Sequence, residues 1–498
     1  MRPGRRAPVA LAAIAVLAGC AARTAPAVRP SDAVRQLRSD LTRVFAGPVA
    51  SRASWAVDIR SLDRQEVLFQ LASDRLVMPA SNMKIVTLAA AAELLGWDYR
   101  FETSLETDAP VEQGILQGDL IVRGNGDPTI NSRNSRADAV LEAWTSALRQ
   151  EGISEVRGRI VGDDQAFDDE WLGAGWAWDY LQYGYAAPVG ALQFDENLAQ
   201  LTVTPGAASG DPPGVGLSPG AGLAVRNLAV TTLEGSIETL DYRRRLDLPV
   251  LEITGAIPAG SPPVVRSVAV VNPTVFFVES LRQALIERGI AVSGPAVDLD
   301  DVAAERLGLQ APRRVLVTVA SPPLREIGTV LMKMSQNLYG ETLVKAVGAA
   351  EGGMGTLSGG RARIQALLEN WSVGRDECVL ADGSGLSRYN YVTARALTTI
   401  LARMYRDERH RDAFLSTLAV AGRDGTIATR FRGTRAENNA VVKTGSIANV
   451  RALSGFVRTR DGEAVVFSIV ANDFVLPAAT VNSLADVAVE TLANFSRR

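Results

Sequence analysis

The sequence predicts an α+β protein of more than one domain, an antiparallel sheet flanked by helices and interrupted by mostly β inserted domains. Three observations carry that reading. The chain of 498 residues is longer than one ordinary core supports. Its end shows three strand-like runs (441–446, 452–458 and 463–470, with a turn at Asp461-Gly462) followed by a helix over about 481–495. Residues 101–310 instead alternate short strands with turns such as Asp211-Pro212-Pro213 and Ser218-Pro219-Gly220, broken by helical stretches at 138–151 and 274–288.

At the N-terminus, Arg2, Arg5 and Arg6 precede an apolar run over 7–18, so residues 1–20 read as an export signal. The run ends in Leu17-Ala18-Gly19-Cys20, which resembles the lipobox of bacterial lipoproteins. Two readings of Cys20 stand: lipidation, giving a membrane anchor, or loss by ordinary cleavage a few residues later. Residues 21–30, rich in Ala, Pro, Arg and Thr, are a linker. Cys378 is the one other cysteine and is expected to be a small buried hydrophobe. Apolar residues make up 47% and charged residues 21%, the balance of a globular protein. The net charge is -3 and no basic block exceeds Arg243-Arg244-Arg245, which argues against nucleic acid as the main partner. No later stretch is long and apolar enough to span a bilayer.

Missing residues narrow the chemistry. The chain has one histidine, His410, within the charged run 406–412, where a solvated helix face is expected. A zinc site built on two histidines is excluded, and a Ser-His-Asp triad would have to use His410. Of 52 basic residues only Lys84, Lys333, Lys345 and Lys443 are lysines. A bias that replaces Lys by Arg cannot replace a lysine that must lose its proton, because guanidinium stays charged.

Two of the four sit in motifs. Pro79-Ala80-Ser81-Asn82-Met83-Lys84 opens an apolar helix that runs to about Leu95 and stops at Gly96. Three residues apart, Ser81 and Lys84 share a face of its first turn, and burial of this all-round apolar helix would lower the lysine pKa toward a useful base. Alone the motif is weak, since a Ser precedes a Lys at this spacing about 7% of the time. Lys443-Thr444-Gly445-Ser446 lies on a strand, where it presents a cation and a hydroxyl to a substrate carboxylate and where glycine admits a substrate backbone. Ser335-Gln336-Asn337 sits between apolar 327–334 and helical 338–347, and alone would read as a helix cap. In chain order the three form S-x-x-K, S-x-N and K-T-G, the set of penicillin-binding proteins and class A β-lactamases.

With these motifs the chain resembles the D-alanyl-D-alanine carboxypeptidase/endopeptidase family of penicillin-binding proteins, in the type with a large insertion after the first motif. The likeness extends to 124–129 (GNGDPT), 187–192 (APVGAL), 382–388 (DGSGLSR) and 421–426 (AGRDGT). It implies a penicillin-binding-protein/β-lactamase-like catalytic domain from residues 31–100 plus 311–498, its sheet joining an N-terminal hairpin (55–60, 66–71) to the C-terminal strands. Residues 101–310 would be the insertion, since Ser81 and Ser335 lie 254 positions apart. It also implies roles: Ser81 the acylated nucleophile, Lys84 its base, Ser335, Asn337 and Lys443 partners in proton relay and positioning. Thr444, Gly445 and Ser446 would hold substrate, with backbone N–H groups of Ser81 and Ser446 as the oxyanion hole. Asp179, in Trp176-Ala177-Trp178-Asp179, would meet the stem-peptide amino group or stand solvated. Gln336, where many relatives of the broader superfamily carry Asp or Asn, is a departure and is expected to point away.

The resemblance implies hydrolysis of peptidoglycan stem peptides through an acyl-enzyme, labelling by β-lactams, an exported enzyme in the cell envelope or periplasm, and neither metal nor organic cofactor. Two alternatives remain at this stage: a β-lactamase or esterase on the same core, or a non-catalytic wall-binding lipoprotein.

Overall fold

The computed structural model describes residues 31–302 and 312–498. Cys20 and the signal and linker segments lie outside the described residues. The central sheet has six strands in the order Glu66–Leu71, Ser54–Ser61, Ala464–Asn472, Val450–Arg458, Val441–Ile447 and Ala419–Val420, all antiparallel. The N-terminal hairpin is thus zipped onto the C-terminal strands, Ser54 to Ser61 pairing with Asn472 to Val465. Strand Ala464–Asn472 is buried at every position because it is central and covered on both faces. One face carries the terminal helices Asp32–Ala46 and Ala478–Asn494, packed through Leu37, Leu41, Val489 and Leu492. The other carries Met83–Leu94, Asn337–Ala349 and Ala394–Arg406, joined in one core through Val86, Leu343 and Leu397.

The insertion leaves after Met83–Leu94 and builds its own sheets. Strands Glu102–Thr107, Leu120–Gly124 and Ile160–Asp163 form a five-stranded sheet with Ala296–Asp298 and Arg314–Ala320. Helices Arg136–Gln150 and Pro273–Glu287 bury Trp144 and Phe277 against it, ring centroids 6.0 Å apart. Smaller sheets span 198–269 around Leu201, Leu251 and Ile253. One boundary differs from expectation. Strand Arg314–Ala320, assigned from sequence to the catalytic region that begins at 311, pairs with Glu102–Thr107 instead. The chain therefore crosses back at about Ser321, whose hydroxyl accepts the Phe101 N–H at 2.9 Å.

His410 also differs: it is 5% exposed and lies on no solvated face. Its Nδ1 accepts from the Trp97 indole at 3.1 Å and its Nε2 faces Glu93 at 3.0 Å, so two polar partners repay its burial. Cys378 is buried and free, as a small hydrophobe should be. Among the described residues no helix is long and apolar enough to cross a membrane.

Candidate active site

Ser81 stands in a tight turn, Ala80–Asn82, that precedes helix Met83–Leu94. Two glycines clamp this turn. A Cβ on Gly445 would lie 2.6 Å from the Pro79 carbonyl oxygen, and one on Gly385 would lie 1.8 Å from that of Ala80. Gly385 also adopts φ +84°, a left-handed conformation glycine reaches without strain. The glycine of the K-T-G triplet is therefore needed for the Ser81 turn itself; the expected reason, approach of a substrate backbone, is not the one the packing gives. Asn82 Nδ2 donates to Ser454 Oγ at 2.6 Å, pinning the turn to strand Val450–Arg458.

Lys84 is fully buried in the next turn. Its Nζ lies 3.0 Å from Ser81 Oγ, 2.6 Å from Asn337 Oδ1 and 2.7 Å from the Ser384 carbonyl oxygen. Burial drives its pKa down to about 7, an effect that the negative fields of Asp382 and Glu341 only partly offset. Asn337 opens helix Asn337–Ala349 and donates its amide to the Tyr185 carbonyl at 2.7 Å, fixing which atom faces the lysine.

Ser335 precedes that helix in a left-handed conformation (φ 61°, ψ 35°), directly after the π-helical turn Val330–Met334. Such backbone costs about 1–3 kcal/mol and persists only where its surroundings enforce it. The Ser335 hydroxyl accepts from Lys443 Nζ at 2.8 Å. Lys443, also fully buried, has its pKa lowered well below the ordinary value by burial and by the nearby Lys84. Thr444 Oγ1 meets Thr426 Oγ1 at 2.6 Å, which brings the 421–426 segment to the K-T-G strand.

These groups surround a cavity of about 420 Å³ lined by Ser81, Ser335, Asn337, Ser446, Tyr180, Tyr185 and Arg451, among others. The three motifs thus converge as the sequence implied. Asp179 is exposed in the turn Trp178–Tyr180 and does not line the cavity. Gln336 turns to Glu196 of the insertion.

Sequence reasoning missed Glu341 and the roles of Asp382 and Ser384. Asp382 accepts from Gly385 N at 2.7 Å, Ser387 N at 2.6 Å and Asn390 Nδ2 at 2.6 Å, which shapes the loop that delivers the Ser384 carbonyl. The aspartate and glycines of 382–388 signalled a shaped loop, whereas a single Glu in a helix carried no signal. Among the described residues, two groups of side chains have enough donors to hold a metal ion, Glu93/Asp407/His410 and Asp164/Asp298/Asp300, and neither lines the cavity. Arg409 already pairs with both carboxylates of the first.

Known proteins match this architecture. The D-alanyl-D-alanine carboxypeptidase of Actinomadura sp. (strain R39) is 34% identical over 492 residues, covering 96% of this chain and 89% of that one. D-alanyl-D-alanine carboxypeptidase DacB of Haemophilus influenzae is 26% identical over 452 residues, 86% of each chain. The crystal structure of penicillin binding protein 4 (dacB) from Haemophilus influenzae superposes with a TM-score of 0.76 at 23% identity, covering 91% of this chain and 98% of that one, so the fold is of the penicillin-binding-protein type. The D-Ala-D-Ala carboxypeptidase 3 (S13) family matches residues 37–494, and the chain belongs to it.

Proposed function

We propose that the protein is a serine D-Ala-D-Ala carboxypeptidase/endopeptidase that cleaves peptidoglycan stem peptides through an acyl-enzyme on Ser81. The observation that carries this is Ser81 Oγ lying 3.0 Å from a buried lysine amine poised near neutrality. Neutral Lys84 takes the Ser81 proton as Oγ attacks the carbonyl of the penultimate D-alanine. The oxyanion is received by the N–H groups of Ser81 and Ser446, each donor contributing about 3 kcal/mol. Ser335, with Lys443 behind it, relays the proton that Lys84 took from Ser81 to the departing D-alanine amine, so that Lys84 is neutral again and Ser335 keeps its own proton. Thr444 helps hold the terminal carboxylate, Ser446 lines the substrate cavity beside it, and Asn337 orients Lys84. Exposed Asp179, next in the chain to the cavity-lining Tyr180, meets a substrate ammonium. Water then hydrolyses the seryl ester.

The same site accounts for β-lactams as covalent ligands, and a solved structure of the Haemophilus influenzae relative is itself a complex with a β-lactam. Among the described residues no carboxylate lines the cavity to speed deacylation, which supports the peptidase over the β-lactamase reading. Export to the cell envelope or periplasm, with lipid on Cys20 as anchor, completes the proposal; Leu17-Ala18-Gly19-Cys20 after the apolar run supports it.

The test is labelling with a fluorescent penicillin, wild type beside Ser81→Ala. A stable adduct on the wild type alone supports the peptidase. Labelling with rapid release points to a β-lactamase, and no adduct on folded protein leaves a non-catalytic wall-binding protein.

A further inference from the structure

Two carboxyl groups lie behind the catalytic lysine, and the mechanism above uses neither. Asp382 is committed to the backbone and side-chain donors of its own loop and to the Trp176 indole at 2.8 Å. Glu341 is different. It is 1% exposed and sits one helical turn after Asn337, on the face that meets the 382–385 loop. Each of its oxygens accepts one backbone N–H, from Gly383 at 2.9 Å and Ser384 at 2.8 Å. The carbonyl of Ser384 is the one that accepts from Lys84 Nζ at 2.7 Å. On the other side, Thr87 Oγ1 donates to the Gly383 carbonyl at 2.7 Å, tying the same loop to the helix of Lys84. No side chain separates loop from helix, for a Cβ on Gly383 would lie 2.3 Å from the Gly340 carbonyl oxygen.

We propose that Glu341 is the positioning residue of the general base: its two oxygens, through the N–H groups of Gly383 and Ser384, hold the Ser384 carbonyl on Lys84 Nζ. This deepens the reading of Ser81 and Lys84 as nucleophile and base, and rests on it. A carboxyl group is required because two N–H groups converge on it. An amide offers one acceptor and turns two donors toward the other N–H. During acylation Lys84 becomes an ammonium in a dry site beside a second lysine. The Ser384 carbonyl and the Asn337 amide oxygen are its fixed acceptors, and a carbonyl that drifts leaves that cation undersolvated. Burial, with Asp382 nearby, pushes the Glu341 carboxyl up to about 8; the groups facing Lys84 are therefore Asp382 and, once ionised, Glu341, which favour its ammonium, and Lys443, which opposes it.

The experiment compares wild type with Glu341→Gln. Stopped-flow acylation by a fluorescent penicillin separates the reversible Kd from the acylation rate constant. Lysine labelled at Nζ with 15N reports the Lys84 titration directly, because the chain has only four lysines to resolve. The expected result is an acylation constant about ten-fold lower or less, with Kd within about two-fold. The Lys84 midpoint should fall by about one pH unit or more, with Lys333 and Lys345 unmoved. An unmoved Lys84 midpoint overturns the proposal, whether acylation is retained or is lost together with binding and melting temperature as a merely structural role would have it. Should Glu341→Gln fail to fold, Thr87→Val loosens the same loop from the opposite side. A lowered Lys84 midpoint there supports the positioning role and an unchanged one refutes it. Absence of wild-type acylation at Ser81 would instead sink the functional reading itself.

Discussion

Gly445→Ala is the perturbation that most directly tests how Ser81 is held. The added methyl would sit 2.6 Å from the Pro79 carbonyl oxygen, 3.0 Å from Ala452 Cβ and 3.2 Å from Asn82 N. Ordinary contact needs about 3.4 Å or more, so strand and turn must separate by roughly 0.8 Å. Neither side yields readily: the turn is backbone, and the strand is paired from Val441 through Ile447 with Val450–Arg458. Overpacking of this kind costs about 1–3 kcal/mol of stability. The displacement falls on Ser81, whose Oγ must stay 3.0 Å from Lys84 Nζ, and a shift near 1 Å costs up to about 100-fold in rate. The assay is penicillin acylation and stem-peptide hydrolysis, with thermal unfolding alongside. The expected outcome is a folded protein, a melting temperature lowered by a few degrees and acylation slowed by about 10–100-fold. Acylation within about two-fold of wild type at an unchanged melting temperature would show that the strand does not brace the turn.

Further outcomes follow from other groups. Lys84→Met should abolish labelling, by about 1,000-fold or more, yet stabilise the fold. A lysine whose pKa falls from 10.5 unfolded to about 7 folded loses native stability as pH drops between those values, so its removal gains up to about 4 kcal/mol at pH 7, seen by denaturant titration. In the wild type, acylation should fall as pH drops through about 7, since the base must be neutral; a profile flat from pH 9 to 5 would contradict that role. Cys378, whose thiol burial pushes up to about 12, should react with a thiol reagent only after unfolding, and fast reaction of native protein would contradict its burial. His410→Phe should leave penicillin labelling unchanged while removing the partners of Trp97 and Glu93, at a cost of about 1–3 kcal/mol in unfolding experiments.

What was legible in the sequence was whatever depends on neighbours along the chain. Three residues of spacing put Ser81 and Lys84 on one helical face, an all-apolar helix around them meant burial, and burial meant a lowered pKa. The Lys443-Thr444-Gly445 strand and the C-terminal strands were legible from alternation and turn residues. The scarcity of lysine and histidine said which groups could move protons. Tertiary structure alone decided the rest, because it concerns residues with no local signature. Lys84 and the Ser384 carbonyl are 300 positions apart, and a backbone oxygen leaves no mark in composition. Glu341 reads as an ordinary helical glutamate until the 382–385 loop lies against it. His410 reads as part of a solvated charged run until Trp97 and Glu93, more than 300 positions away, close over it. Gly445 could be flagged from its motif, but only the packed turn shows whose backbone needs the space. Strand Arg314–Ala320 joined the insertion because its partner, Glu102–Thr107, lies some 200 residues earlier. Local periodicity specifies what an element is, whereas the choice of its neighbours is made by burial across the whole chain.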